Sequence, residues 1–268
     1  MPNKKISASA LLKYWRCPEY YRKIYVGREL KKEPPSPEMC VGIAVHAAID
    51  FAMKKKIENV SVDIPEMMVM AENALRKELM AALEASTDPA DIINPQGAMQ
   101  TKYAEVQRAV MTVHKKLLPV INPIASEYHF FTEWRPGWDI EGYIDLLALE
   151  KDSSISVIDW KIGTSSRTPD QNTAEVSVQL PLYAIMARRT LSYIPKKGIL
   201  YHYVPSKMPH FLAREVEFTD RYLDAITLRV NRTLDAIEAG QYPAGDPFWS
   251  CNAKRCPVFS GCEMGAGK

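Results

Sequence analysis

The spacing of apolar residues changes near the middle of this chain. Up to about residue 121, apolar positions recur every three or four residues, which is the period of a helix with one buried face. Clusters of proline, glycine and polar residues divide this half into separate segments. The pattern predicts helices at 7–25, 42–56, 65–85 and 101–121, and a loop at 31–37.

Beyond residue 125, apolar and polar residues alternate in short runs, which is typical of strands. The runs predict strands at 125–134, 139–150, 154–162, 198–204 and 211–218. Two segments return to helical spacing, one at 177–191 and one from Thr219 or Asp220 to about Gly240. Residues 241–268 form a tail rich in proline, glycine and cysteine.

This order of elements predicts an α/β (α+β) fold in a single domain over 1–268, with a mixed central sheet flanked by helices. Residues 1–122 are expected to be mainly helical, residues 123–218 to hold the sheet and one helix, and residues 219–268 a long helix and the tail. A chain of 268 residues that is 47% hydrophobic can bury one large core.

The overall charge and the cysteine count narrow the class of protein. A net charge of +2 is nearly balanced, so it neither requires nor excludes a nucleic-acid partner. No apolar run approaches the roughly 20 residues of a membrane-spanning helix, and no signal-peptide core follows the first residues. We therefore expect a cytoplasmic protein with no membrane partner. Five cysteines, an odd number, favour metal ligation or free thiols over a disulfide framework.

The predicted strands 139–150 and 154–162 are joined by a short polar link, which predicts a hairpin. If Glu150 pairs with Ser154, counting along the strands places Asp145 directly opposite Asp159. Two facing carboxylates repel each other unless a positive charge lies between them. A divalent cation would supply that charge, and oxygen ligands suit Mg²⁺ or Mn²⁺.

The surroundings of Asp159 strengthen this interpretation. An Asp-x-Lys sequence such as Asp159-Trp160-Lys161 is usually a solvated strand edge, but here Val157, Ile158 and Ile162 surround it. Side chains alternate along a strand, so Asp159 and Lys161 lie on one face. Hydrolysis of a phosphodiester needs carboxylates that hold a cation and a positive group near the developing charge, and these residue types supply both.

Four short motifs occur in a characteristic order, at Gly42–His46, Gly142–Asp145, Asp159–Lys161 and Gln179–Tyr183. In this order the chain resembles the PD-(D/E)XK nuclease superfamily, and within it the RecB-like branch that includes the CRISPR-associated Cas-four exonucleases. The resemblance covers about half of the chain. It implies a restriction-endonuclease-like core with an N-terminal helical lobe.

The resemblance also implies roles for single residues. The metal ligands would be His46, Asp145, Asp159 and the backbone carbonyl of Trp160. Lys161 would position or activate the attacking water, while Gln179 and Tyr183 would face the site and contact DNA or orient Lys161. Purely structural roles are the alternatives: His46 would be a packed helical residue, Tyr183 a core residue and Gln179 a helix cap. Glu127, in an alternating strand, could hold a second metal or face solvent.

Three cysteines cluster in the tail, Cys251, Cys256 and Cys262, and Cys17 lies near the other end of the chain. This arrangement resembles the nucleases of the same branch that bind a [4Fe–4S] cluster through one N-terminal and three C-terminal cysteines. Structural Zn²⁺, which also accepts four thiolates, is the alternative, and unligated thiols are the third reading. Cys40 is outside the pattern.

The resemblance implies a Mg²⁺- or Mn²⁺-dependent deoxyribonuclease, with exonuclease action on DNA ends or single strands. Its setting would be DNA recombination and repair, phage DNA processing or CRISPR adaptation in a prokaryotic or phage-infected cell. Besides DNA, a second copy of the chain or a recombination or CRISPR protein would be a partner. The alternative is a nuclease-like subunit that grips DNA ends and cleaves little.

Overall fold

A computed structural model describes residues 3–28, 35–84, 95–163, 178–244, 251, 256 and 258–262. In chain order its elements are strand β1 (Lys4–Ser7), helices α1 (Ala8–Arg16), α2 (Pro18–Tyr21), α3 (Pro37–Ile57), α4 (Ile64–Glu84) and α5 (Pro95–Thr112), strands β2 (Pro123–Arg135), β3 (Trp138–Leu149) and β4 (Ile155–Ile162), helix α6 (Leu180–Leu191), strands β5 (Pro195–Val204) and β6 (His210–Glu217), and helix α7 (Asp220–Glu238). The fold is therefore mixed α/β, as the sequence pattern predicts.

The chain forms two compact units. The smaller one comprises Met1–Lys32, Phe130–Gly142 and Thr219–Lys268, and the larger one comprises Glu33–His129 and Tyr143–Phe218. Among the described helices, none has both the length and the apolar composition needed to cross a membrane.

The sheet of the larger unit is mixed. Strand β3 pairs antiparallel with β4, β4 parallel with β5, and β5 antiparallel with β6. In the first hairpin Leu146 lies opposite Ile158, and the Glu150 N–H donates to the Ser154 carbonyl over 2.8 Å. The register predicted from the sequence is therefore confirmed.

Helices cover both faces of this sheet. Alternate residues of β3 and β4, such as Leu146 and Ile158, are fully buried in one cluster with α3, α4 and α5. On the opposite face, Gly198 of β5 packs against Leu180 of α6 so closely that a Cβ atom there would lie 2.8 Å from the leucine side chain. Buried apolar side chains each contribute about 1.5–3 kcal/mol. This core fixes β3 and β4 in place.

Helix α3 starts five residues earlier than the sequence pattern predicts. The Ser36 side chain accepts a hydrogen bond from the Met39 N–H, and Pro37 occupies the first helical turn. Proline is compatible with that position because its missing N–H would have no helical partner there. The prediction treated Pro37 as part of a loop and so missed a capped helix start.

In the smaller unit, the single helix predicted at 7–25 is interrupted. Cys17 has extended backbone (φ −163°) and its Sγ accepts the Tyr20 N–H, so that α2 begins anew at Pro18. A π-helical turn, Arg22–Val26, follows α2. Strand β1, which the pattern did not predict, pairs in parallel with the first residues of β3. Four residues are too few to show a period.

Helix α7 is held in the smaller unit by three indole N–H groups. Trp15 donates to Thr233 over 2.6 Å, Trp134 to Asn231 over 2.7 Å, and Trp138 to Glu238 over 2.6 Å. These tryptophans come from α1, β2 and β3. One helix therefore gathers three distant segments of the chain.

The buried face of α4 should carry much of the stability of the larger unit. Leu75 is 1% exposed, whereas Val69 on the same helix is 58% exposed. We expect Leu75→Ala to lower the free energy of unfolding by about 2–5 kcal/mol because it leaves a cavity. Val69→Ala should change it by less than about 0.5 kcal/mol. Denaturant unfolding of both variants tests this, and equal effects would contradict the packing described.

Candidate active site

Two carboxylates face each other across the β3–β4 hairpin. Continuing the observed register by one residue places Asp145 opposite Asp159. Asp159 is 1% exposed, and Asp145 accepts a hydrogen bond from the Trp160 N–H over 2.9 Å. Burial raises the pKa of both carboxyl groups, that of Asp159 to about 6. Asp145 is half-buried, and two facing carboxylates are costly to remove from solvent unless a positive charge compensates for them.

Lys161 lies next to Asp159 as the strand alternation predicts. Its Nζ is 2.9 Å from Oδ2 of Asp159. The ammonium opposes the effect of burial on the pKa of Asp159. The Lys161 side chain is about one-third exposed.

Asp159 also accepts a hydrogen bond from Gln179, which in turn contacts Tyr183. The Gln179 amide donates to Oδ1 of Asp159 over 3.1 Å and contacts the Tyr183 hydroxyl over 2.7 Å. Gln179 directly precedes α6, so the two residues lie one helical turn apart. Burial raises the pKa of Tyr183, which therefore stays a neutral phenol. Both residues face the site, and Gln179 fixes Asp159 rather than Lys161.

His46 reaches the same place from α3. One turn earlier, Gly42 passes the end of β4 so closely that a Cβ atom would lie 3.2 Å from the Ile162 carbonyl. His46 Nε2 is 3.1 Å from the carbonyl oxygen of Trp160, and Nδ1 is 3.9 Å from Oδ2 of Asp145. A carbonyl only accepts, so Nε2 carries a proton. Burial lowers the pKa of His46 and favours the neutral ring, which leaves a lone pair on Nδ1 facing Asp145.

Glu127 joins this group, although sequence reasoning gave it only a secondary place. Ligand atoms of His46, Glu127 and Asp145 all lie within 4.8 Å of one another. Burial, and then the charge of Asp145, raises the pKa of Glu127 to about 7. Its backbone has φ +46°, a conformation that costs of order 1–3 kcal/mol for a residue with a Cβ atom. A strained backbone at this point is consistent with a side chain held for function.

A contact between α3 and β2 supports the strained residue. Asp50, one turn after His46, accepts a hydrogen bond from the Ser126 hydroxyl over 2.9 Å, and Lys54 pairs with its other oxygen. Ser126 directly precedes Glu127. Sequence analysis missed Asp50, although its spacing of four residues from His46 was a usable signal because such residues share a helix face.

The predicted ligand set of His46, Asp145, Asp159 and the Trp160 carbonyl shares two members with the compact group. His46 and Asp145 belong to both, but in the described part of the chain Glu127, and not Asp159, completes the compact group. Asp159 is held by Lys161 and Gln179 instead. The carbonyl of Trp160 faces His46, while its ring is buried in the core.

The residues present fit a divalent cation. Asp145, Asp159 and Glu127 bring three carboxylates together; the Lys161 ammonium lies beside Asp159, and that of Lys54 also acts on Glu127. Oδ2 of Asp159 is buried, and the Lys161 ammonium lies 2.9 Å from it. Carboxylate oxygens together with one imidazole nitrogen suit Mn²⁺. Mg²⁺ prefers oxygen ligands and would be bound mainly through the carboxylates. Both cations are therefore compatible with this site.

The cysteines lie in the smaller unit, apart from Cys40, which is buried in α3 as its place outside the pattern suggested. Cys17 and Cys262 are buried, and Cys251 and Cys256 are half-buried. A Cβ atom at Gly261 would lie 3.6 Å from Nζ of Lys23, so the tail packs beside the π-helical turn that follows α2. The end of the chain and the segment carrying Cys17 are thus brought together.

The sulfur positions bear on which metal could bind. Tetrahedral zinc with Zn–S bonds of about 2.3 Å would bring its thiolates within about 3.8 Å of one another. Among the described residues, no three cysteine sulfurs lie within 4.8 Å of each other. A four-iron cluster holds its cysteines farther apart than a single zinc ion does. Both metals stay alternatives for these cysteines.

The repulsion between the facing acids gives a stability prediction for metal-free protein. Since burial raises their pKa, the folded state is favoured below the unfolded pKa and loses stability as pH rises through about 6. Asp145→Asn removes one charge and should raise Tm at pH 8 in chelator by about 2–4 °C. The gain should shrink toward pH 5, and Mn²⁺ should stabilise the wild type more than the variant.

Thermal melts with and without Mn²⁺ measure this effect. Asp224→Asn, at an exposed position of α7, is the matched control and should leave Tm unchanged. A metal-free Asp145→Asn protein that melts below the wild type at pH 8 would contradict the proposed repulsion.

Comparison with known proteins bears on the family of this chain. The sequence profile of the PD-(D/E)XK nuclease superfamily matches residues 5–263. The crystal structure of a predicted exonuclease from Eubacterium rectale aligns with a TM-score of 0.55 and 12% identity, over 92% of this chain and 86% of that one. That of SSO0001 aligns with a TM-score of 0.44 and 14% identity, over 98% and 87%. No curated protein matches the sequence. Because the family match spans nearly the whole chain, this protein belongs to the PD-(D/E)XK nuclease superfamily.

Proposed function

We propose that this protein is a Mg²⁺- or Mn²⁺-dependent deoxyribonuclease. The observation that carries the proposal is the pair of buried, facing carboxylates, Asp145 and Asp159, with the Lys161 ammonium 2.9 Å from one of them. The superfamily consists of nucleases, which hydrolyse phosphodiester bonds. Within it, the RecB-like branch and DNA as substrate remain inferences from the order of the motifs.

The side chains of the site have two proposed roles, which are binding of the cation and stabilisation of the charge on the phosphate. His46, Glu127 and Asp145 would hold the cation, with Asp159 and the Trp160 carbonyl as further ligands within reach of the hairpin. When bound, the cation polarises the phosphate and lowers the pKa of water. Lys161 orients the attacking water and stabilises the negative charge that develops on the phosphate.

Residues behind the ligands act by positioning. Gln179 holds Oδ1 of Asp159, and Tyr183 holds Gln179 in turn. Asp50 fixes Ser126 and thereby the strained backbone of Glu127. Ligating carboxylates that are themselves hydrogen-bonded keep a fixed orientation.

Exonuclease action on DNA ends or single strands is the finer form of the proposal. Recombination and repair, phage DNA processing and CRISPR adaptation are the settings that fit the resemblance, and a cytoplasmic location stays a prediction. The runner-up is a DNA-end-binding subunit with little cleavage of its own. The presence of both carboxylates together with Lys161 favours the enzyme, because a binding module has no need of a buried like-charge pair.

We also propose that Cys17, Cys251, Cys256 and Cys262 bind a [4Fe–4S] cluster, with Zn²⁺ as the alternative. Support comes from the packing of the tail beside the segment that carries Cys17. The role of the cluster would be structural, because it would tie the two ends of the chain together.

Cleavage of end-labelled DNA tests the active site. The wild type should shorten single- or double-stranded DNA in Mn²⁺ and be inactive in chelator. Asp145→Ala, Asp159→Ala and Lys161→Ala should each lower the rate by at least about 10²-fold, because each removes a charge that acts in the transition state. Lys151→Ala, an exposed lysine of the same hairpin, is the control and should keep full activity.

The labelled end also reports the polarity of cleavage. An exonuclease releases a label at the end where it starts before it reaches a label at the other end. A shifted but intact band with the wild type would support the end-binding alternative. Full activity in both aspartate variants would eliminate the proposed site.

Metal analysis after anaerobic purification tests the cysteine site. We expect iron with acid-labile sulfide, and a large loss of both in Cys256→Ser. Cys40→Ser, at a cysteine outside the proposed site, should retain them. Zinc in place of iron would support the alternative, and the absence of both metals would exclude a metal site in the tail.

A further inference from the structure

An exposed aromatic pair adjoins the acidic cluster of the larger unit. Tyr143 on β3 is 53% exposed, although it belongs to a strand whose next residue, Ile144, is fully buried. One face of its ring contacts His129 of β2, with ring centroids 4.7 Å apart and a tilt of 30°. A tyrosine in this position is not part of the core. We name these two residues the Tyr143–His129 platform.

The platform lies at a fixed distance from the site. Tyr143 precedes Asp145 by two residues, so both side chains project from the same face of β3, about 6.6–7 Å apart. On the neighbouring strand His129 follows Glu127 by two residues. Each strand therefore carries a group of the acidic cluster and an aromatic ring two residues apart. A phosphate at the acidic cluster would place its own nucleotide within reach of Tyr143.

We propose that the Tyr143–His129 platform stacks on an unpaired base next to the phosphate that is cleaved. This inference rests on the proposed function and deepens it, because it assigns two residues that would bind the single strand or separated end named there. His129 supports one face of the Tyr143 ring and leaves the exposed side for a base. Inside a duplex a base already has neighbours on both faces, so it must leave the stack to bind here.

Stacking on the platform is expected to be independent of the base sequence of the DNA. Every base has a flat π-face, and stacking on an aromatic side chain contributes binding without hydrogen-bond readout. The Tyr143 hydroxyl is not required for stacking. Replacing the tyrosine with phenylalanine therefore separates the contribution of the ring from that of the hydroxyl.

Cleavage of single strands that carry one abasic nucleotide tests the platform. Tyr143→Ala should lower kcat/KM on an unmodified single strand by about 5- to 100-fold, and Tyr143→Phe should recover most of the loss. As the abasic nucleotide is moved along the strand, the wild type should lose a similar factor at one position. Tyr143→Ala should be insensitive to the abasic nucleotide at that position, because the partner of the base is already missing.

Leu149→Ala is the matched control. Leu149 lies on the same strand and the same face, six residues beyond Tyr143, and is 39% exposed. It should leave kcat/KM and the abasic response unchanged. Melting temperatures of all variants exclude an effect through folding, since both altered side chains are exposed.

A second measurement does not depend on cleavage. In the Asp159→Asn background, binding of a single strand with one 2-aminopurine base should quench its fluorescence at the position found above, and Tyr143→Ala should remove the quenching. If Asp145→Ala still cleaves DNA, the proposed function fails. If Asp145→Ala is inactive but Tyr143→Ala keeps the wild-type rate, abasic response and quenching, only the stacking inference fails.

Discussion

The rest of the candidate site depends on the repulsion between two buried carboxylates. Asp145 and Asp159 stand on adjacent strands, between the buried apolar residues Ile144 and Leu146 on β3 and Ile158 and Trp160 on β4. Burying these neighbours also draws the two carboxylates out of solvent. Burial raises the pKa of both groups in metal-free protein, and the charge of Asp145 adds to the effect at Asp159. Lys161 and Gln179 reduce the cost of burial for Asp159, and the Trp160 N–H reduces it for Asp145. None of these contacts supplies the second positive charge that a divalent cation would bring. The site is therefore suited to bind such a cation.

Helix α3 fixes the other side of this site through small contacts. Gly42 allows the helix to approach the end of β4, and His46 then reaches both the Trp160 carbonyl and Asp145. One turn later Asp50 holds Ser126, next to the strained Glu127. Three groups spaced by four residues on one helix face therefore set the positions of ligands on three strands. Because α3 is packed on α4 and α5 by fully buried side chains, these distances are held by the core of the larger unit.

The hairpin could be predicted from the sequence because its determinants are local. The polar turn and the alternation on both sides leave one register that buries the apolar residues, and Glu150 and Ser154 pair as that register requires. Other features depend on distant contacts. Glu127 becomes part of the site through a positive φ and a neighbour on α3, and neither is visible as a period in the sequence. The sequence pattern also did not predict the helix break at Cys17, which depends on a side-chain cap. It did not predict β1 because four residues are too few to show a period.

The central claim is that the facing acids form a divalent-cation site together with His46 and Glu127. Calorimetric titration of Mn²⁺ into the protein tests it without reference to any substrate. The account predicts saturable binding to the wild type with release of protons, because the cation displaces protons from carboxyls of raised pKa. Binding should be lost in Asp145→Ala and retained in Asp224→Asn. Equal Mn²⁺ affinity in the wild type and in Asp145→Ala would contradict the account.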